Sequence, residues 1–356
     1  MIWLLLIPLV LLIGLLVVDW HISAPGYQGP ESEHFDGTKF NNPDKIRGRG
    51  LYDMAKWAVT GDRGEWQKLN HDVVPVPSHQ SRHTNTSEVA VTFVNHTTFL
   101  VQVDGLNILT DPIWSHRASP YSWVGPKRMR PPGIQFDELP PIDLVLISHN
   151  HYDHLDMPTV KRLHRQHEPA FITPLGVGQL LLNNTIGSTD LDWWDEHLFD
   201  DQIRINAVPA QHFSGRGVFD RDRTLWCGYV VETPSASLYF AGDTAYGSFF
   251  TDIGRAFEID ISLIPIGAYK PRWFMQPIHT DPDEAVKIHR DVQSTVSIGS
   301  HFGTFPLADE AMDEPKTDLD AARQQHGIAA KDFITLQEGQ LEIIEPAPAS
   351  MKIAGE

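Results

Sequence analysis

Cysteine is almost absent from this chain: Cys227 is the only one in 356 residues, so no disulfide can form within it. Set in Leu225-Trp226-Cys227-Gly228-Tyr229, that thiol reads as a buried structural group rather than a nucleophile. Positive charge is scarce as well. Lysine and arginine total 28 against 46 aspartate and glutamate, a formal net charge of −18, which repels a long polyanion and excludes nucleic acid as a partner. The first Lys or Arg is Lys39, so the chain lacks the basic start of a cleaved secretory signal, and nothing near its beginning fixes a membrane orientation. Fixed-period repeats are also missing.

What the chain does have begins at once. Every residue from Met1 to Val18 is apolar, Pro8 and Gly14 included, about the length one helix needs to cross a bilayer. The expectation is an uncleaved transmembrane or signal-anchor segment over residues 1–20, placing the protein in a membrane by a single N-terminal span with the exposed side open. Residues 21–87 are rich in Gly, Pro, Asn and His and read as an extension or linker with one short helix over 51–59. From residue 88 the texture becomes α/β. Short β-rich runs at 89–94, 99–103 and 107–110 open a domain over 88–346, with Asp104-Gly105 as a hairpin turn. Later strands alternate with helices over 157–167, 246–257 and 281–291, and a tail covers 347–356.

The chemistry concentrates where one strand ends. A strand expected over 143–148, apolar at 144–147, runs into His149-Asn150-His151-Tyr152-Asp153-His154, which packs three imidazoles and a carboxylate into six residues. Those are ligand types for zinc or a similar divalent ion. In extended backbone His149 and His151 project to the same side and can share one metal. Asp153 and His154 lie beyond the bend, where they can face a second.

With its spacing, His149-x-His151-x-Asp153-His154 resembles the signature of the metallo-β-lactamase superfamily. Three further segments match that family's remaining ligand positions in order: Pro209-Ala210-Gln211-His212-Phe213, Phe240-Ala241-Gly242-Asp243-Thr244 and Gly299-Ser300-His301-Phe302-Gly303-Thr304. More narrowly, Thr110-Asp111-Pro112, the stretch from Pro265 through Tyr269 to Met275, and His279 with Asp281-Pro282-Asp283-Glu284 resemble the N-acyl-phosphatidylethanolamine-hydrolysing phospholipase D group. The resemblance implies an αββα sandwich with two metal ions, zinc foremost, at one edge. It implies that His149, His151 and His212 hold the first ion, that Asp153, His154 and His301 hold the second, and that Asp243 bridges them. Asp111 would support the metal loop by hydrogen bonding. Asp153, Asp243 and His279 become the catalytic candidates, and Tyr152, Tyr269, Arg272, Trp273 and His279 the candidates for substrate contact.

The function these readings lead to is zinc-dependent hydrolysis of a phosphodiester in a membrane phospholipid, through a hydroxide bridging the two metals. N-acyl-phosphatidylethanolamine would give an N-acylethanolamine and phosphatidic acid. Phospholipid and bilayer are the expected partners, with a homodimer left open. A metal-dependent lactonase or ester hydrolase acting on a soluble substrate is the alternative within enzymes, and a non-catalytic zinc-stabilised membrane scaffold the alternative outside them. The N-terminal apolar run favours the lipid.

Overall fold

The computed structural model of the chain describes residues 2–46, 48–67 and 88–346. Residues 68–87 of the expected linker and the tail over 347–356 lie outside them.

Two seven-stranded sheets form among the described residues. One takes β1 (Val89–Asn95), β2 (Thr98–Val103), β3 (Leu106–Thr110), β4 (Leu144–Leu146), β5 (Ala170–Pro174), β6 (Thr189–Leu191) and the last strand, Leu341–Ile344. The other takes β7 (Glu196–Leu198), β8 (Arg204–Val208), β9 (Gly228–Glu232), β10 (Ser237–Phe240), β11 (Ile261–Pro265), β12 (Val296–Ser300) and β13 (Phe333–Ile334). The last strand, β14, pairs antiparallel with β1, and β1 to β3 form a meander closed by the expected Asp104-Gly105 turn. Beyond it, β3 to β6 are parallel, as are β10 to β13. The mixed α/β order anticipated from the sequence is present.

Strand alternation decides what the first sheet buries. Phe99, Val101, Leu144 and Leu146 join a core shared with strands of the second sheet, including Tyr229, Val231 and Leu263. Leu100, Val145 and Ile147 point the other way, against Leu155, Val160 and Leu163 of α3 (Met157–His167) and its approach, and Leu181 of α4 (Gly178–Leu182). On the second sheet's side, α5 (Phe249–Ala256), α7 (Pro282–Asp291) and α8 (Glu314–His326) contribute Phe250, Ile253, Val286 and Leu319 to the same core. Between α5 and α7 lies the short α6 (Arg272–Met275).

Ahead of the sheets come α1 (Ile2–Ile22) and α2 (Leu51–Thr60). The membrane span and membrane localisation expected from residues 1–20 are corrected here: no helix among the described residues is long and apolar enough to cross a membrane. The end of α1 makes polar contacts with the rest of the protein. Asp19, itself buried, accepts hydrogen bonds from the backbone N–H groups of Val218 and Phe219, and the Ala24 N–H donates to Asp220 at 2.8 Å.

The stretch after α1 is packed as well. Phe35 and Phe40 are buried with Trp226 and Leu225. Asn42 clamps the His212 backbone, accepting from its N–H and donating to its carbonyl, each at 2.9 Å.

Three single side chains tie helices to their surroundings. Asp156 stands at the N-cap of α3 without capping it; its carboxylate instead accepts from Ser115 N–H at 3.1 Å, Ser115 Oγ at 2.8 Å and Thr159 Oγ1 at 2.5 Å. His289 is buried in α7 and hydrogen-bonded to Ser297 Oγ at 2.8 Å. His326 pairs with Asp283 on α7 at 2.6 Å. Cys227 is buried, and burial pushes its thiol up in pKa, as befits a structural residue.

Candidate metal centre

Asp111 and the seven expected metal ligands all sit just past the end of a strand at one edge of the sandwich. Asp111 follows β3; the 149–154 loop follows β4; His212 follows β8, Asp243 follows β10 and His301 follows β12. The turn between β1 and β2 adds His96, which sequence reasoning missed. Two glycines let these loops close up. Gly242 has φ +60°, and a Cβ there would lie 2.5 Å from Ser148 Cβ; at Gly267 a Cβ would lie 2.0 Å from the His301 carbonyl oxygen. Neither place admits a side chain.

Two clusters result. In the first, His149 Nε2 and His212 Nε2 lie 2.8 Å and 3.3 Å from His151 Nδ1. Three nitrogens converge there, near the separation of about 3.3 Å that tetrahedral zinc imposes on ligands 2.0–2.1 Å from it. In the second, Asp153 Oδ2 lies 3.3 Å from His154 Nε2 and 3.6 Å from His301 Nε2. Asp243 Oδ2 stands between the clusters, 3.1 Å from both His154 Nε2 and His301 Nε2 and 3.7 Å from His212 Nε2. All seven residues expected from the family resemblance are thus gathered in one place. Several of the inward-facing atoms are buried without a hydrogen-bond partner, among them His154 Nε2, His301 Nε2 and Asp243 Oδ1. Buried orphan donors and acceptors are costly, and a pair of divalent cations is the group these N and O atoms fit.

The outward nitrogens are held in place. His154 Nδ1 lies 2.6 Å from Asp111 Oδ2, His212 Nδ1 donates to the Ile278 carbonyl at 2.8 Å, and His149 Nδ1 lies 2.9 Å from Ser148 Oγ. Ser148 in turn donates to both Asp111 oxygens, from its backbone N–H at 2.7 Å and its hydroxyl at 2.6 Å. Asp111 therefore orients a ligand histidine directly and a second one through Ser148.

Electrostatics divides the same atoms. Burial holds His149 well below the ordinary histidine range and lowers His151 and His212 to about 3, so these three imidazoles stay neutral with lone pairs available. Burial acts against His154 and His301 too. There the carboxylates of Asp243 and Asp153 outweigh it, raising His154 well above its usual value and His301 to about 9. The converse holds for those carboxylates: burial alone would raise them, and the adjoining His154 and His301 keep both well below the usual range.

The remaining candidates separate. His279 is buried beside the cluster, its Nδ1 unpartnered and 3.9 Å from Asp243 Oδ2. Capping of α7 falls to Asp281, which accepts from the Glu284 N–H at 2.9 Å, so the His279 ring is free to serve the site. Trp273 joins Trp57, Phe213, Phe274, Ile278 and Leu307 in an apolar cluster that abuts the metal centre where Phe213 meets His151, ring centroids 4.3 Å apart. The Tyr152 ring lies under Arg216, 3.8 Å from its guanidinium carbon, and its hydroxyl donates to the Ile22 carbonyl at 3.5 Å.

The polar groups of Tyr269 and Arg272 have partners within the protein. The Tyr269 hydroxyl donates to Asp318 on α8 at 2.5 Å. The Arg272 guanidinium is engaged by Glu284 at 2.7 Å, Asp281 at 3.2 Å and the His279 carbonyl at 2.9 Å. That fork steadies the start of α7.

Residues 106–302 match the family described as the β-lactamase superfamily domain. An uncharacterised protein of Mycobacterium tuberculosis is 41% identical over 262 residues, 72% of this chain and 69% of that one. A Caenorhabditis elegans protein named N-acyl-phosphatidylethanolamine-hydrolyzing phospholipase D 1 is 38% identical over 272 residues, 72% of this chain and 76% of that one. Among solved structures, a metallo hydrolase from Ignicoccus hospitalis superposes with a TM-score of 0.56 at 22% identity, covering 72% of this chain and 99% of that one. An isothiocyanate hydrolase from Delia radicum gut bacteria gives 0.59 at 18% identity, covering 72% and 100%.

Proposed function

Because this chain belongs to the β-lactamase superfamily and is a metal-dependent hydrolase, we propose that it cleaves the phosphodiester of N-acyl-phosphatidylethanolamine, releasing an N-acylethanolamine and phosphatidic acid. The observation that carries the reading is the combination at one site of a complete seven-residue donor set with an adjoining apolar cluster around Trp273 and Phe213. A lipid needs both a polar cutting site and a place for an acyl chain. Support for the particular lipid comes from the 38% identity to the worm protein of that name.

His149, His151 and His212 would hold one zinc ion and Asp153, His154 and His301 the other, with Asp243 shared. Bound there, the pair would supply a water of lowered pKa and neutralise charge on the phosphoryl oxygens. The chain's own residues do the rest. Asp153 and Asp243 are ionised and so able to ligate and to accept the water's proton. His279 is held well below the ordinary range by burial and is neutral in the free protein; the negative charge of a bound phosphate favours its taking up a proton from solvent, which the ring would then pass to the alcohol oxygen as the P–O bond breaks. Trp273, Trp57 and Phe213 offer an apolar wall to an acyl chain.

Purified protein is to be tested on N-acyl-phosphatidylethanolamine in mixed micelles with added zinc, alongside His151→Ala and Asp243→Asn, counting metal in each. Phosphatidic acid formed by the native protein and lost in both variants supports the reading. Full metal loading with the lipid untouched refutes it, and lactones and soluble phosphodiesters are then the substrates to assay.

A further inference from the structure

His96 belongs to none of the motifs that lead to the metal centre and lies outside the span matched to the family, residues 106–302. It occupies the tight turn between β1 and β2 with a left-handed backbone, φ 48°, and is only 2% exposed. An imidazole buried in such a turn needs a reason, since a left-handed backbone and burial of a polar ring both cost free energy. Its contacts supply one. The ring Nε2 lies 3.1 Å from Asp153 Oδ2, and the ring packs against His301 with centroids 4.1 Å apart and planes tilted by 45°. Its backbone is tied to the same neighbour: the His301 N–H donates to the His96 carbonyl at 2.8 Å, and the His96 N–H donates to Thr304 Oγ1 at 2.9 Å. Phe305 closes the ring's other side edge-on at 5.4 Å. His301 has a left-handed backbone as well, φ 60°, so two strained turns from opposite sheets brace each other.

We infer that His96 is a positioning residue for the second ion alone, its Nε2–H fixing the carboxylate of Asp153 while its ring and backbone fix His301. This rests on the two-ion reading above. Asp153 Oδ2 has several neighbours, and the His96 N–H occupies one of its lone-pair directions, leaving another for a metal. The first cluster is oriented by other groups: His149 by Ser148 and His212 by the Ile278 carbonyl. Loss of His96 should therefore split the two ions.

The test is zinc stoichiometry and affinity by competition with a chromophoric chelator, on native protein, His96→Phe and His96→Gln, with cobalt spectra to report each site's geometry. Phe keeps the ring packing without the N–H; Gln restores an N–H at the same reach. In His96→Phe the second ion should bind 10- to 100-fold more weakly with the first unchanged, and Gln should recover most of the loss. Should the Phe variant not fold, His96→Asn takes its place, since Asn tolerates a left-handed turn but stops short of Asp153. Equal affinity for both ions in the donorless variant overturns the inference, as does equal weakening of both sites or failure of Gln to rescue. Native protein that binds fewer than two zinc ions refutes the two-ion reading itself, a result separate from any effect of His96.

Discussion

Replacing Asp111 with Asn changes one oxygen to an amide and should unseat both ions. Asp111 is fully buried and accepts from three directions: Ser148 N–H on Oδ1, and Ser148 Oγ and His154 Nδ1 on Oδ2. With a carboxylate there, His154 must carry its proton on Nδ1. The Ser148 hydroxyl, donating to Asp111, must accept from His149 Nδ1. Both rings are thereby fixed with Nε2 unprotonated and facing the site. In Asp111→Asn, the amide oxygen stays with the Ser148 N–H and the amide NH2 faces the other two partners. His154 then accepts at Nδ1 and carries its proton on Nε2; Ser148 reverses, and His149 follows. Flipping the amide to avoid this sets N–H against N–H at Ser148, a cost of about 1–3 kcal/mol. Loss of an orienting partner typically lowers metal affinity 10- to 100-fold, about 1.4 to 2.7 kcal/mol per ion, and here one ligand of each ion is affected. Chelator competition on native protein and Asp111→Asn measures this directly, with the melting temperatures of the metal-free proteins as a control for folding. Unchanged affinity for both ions in a folded variant would refute the tautomer argument.

His279→Gln should leave zinc content at the native level while kcat falls 10²- to 10⁴-fold, the range for losing a proton donor; loss of metal in that variant would instead make His279 a ligand. Gly242→Ala places a methyl 2.5 Å from Ser148 Cβ at φ +60° and should cost roughly 2–4 kcal/mol, read by denaturant unfolding. The metal-free protein should be most stable near pH 6.5. Below that value the unfolded chain takes up protons that native His151 and His212, at about 3, refuse; stability therefore falls as pH drops from 6.5 toward 3. Above it, native His301, at about 9, keeps a proton the unfolded chain releases, so stability falls as pH rises from 6.5 to 9. Saturating zinc should abolish the alkaline decline, because a ligated His301 holds no proton. Thermal melts across pH 4–9 with and without EDTA test both limbs, and a metal-free optimum above pH 8 would contradict the assignment.

How much of this was legible in the chain depended on distance along it. His149, His151, Asp153 and His154 announce themselves because their spacing is local and follows an apolar strand. His212, Asp243 and His301 carry no such local signal and were placed only by the order of family-like segments. A single His in Val94-Asn95-His96-Thr97-Thr98 reads as a turn, and only the fold shows that the turn faces Asp153. Nor does anything near Asn42 suggest that it holds the backbone of a residue 170 positions later. The carboxylate partners of Arg272, Asp281 and Glu284, become its neighbours only when α6 folds against α7, so its ion pairs are not readable from the chain. The N-terminal run misled for a different reason: hydropathy counts residues, whereas the helix they enter ends in an Asp19 buried against a polar loop.

The two clusters share a property that neither shows alone. His149, His151, Asp153 and His154 leave the first sheet, while His212, Asp243 and His301 leave the second. Ions bound as proposed would each draw ligands from both, cross-linking the halves of the sandwich. A chain with one cysteine would thus carry a fastening across its core whose strength follows the free metal concentration around it and is indifferent to redox state.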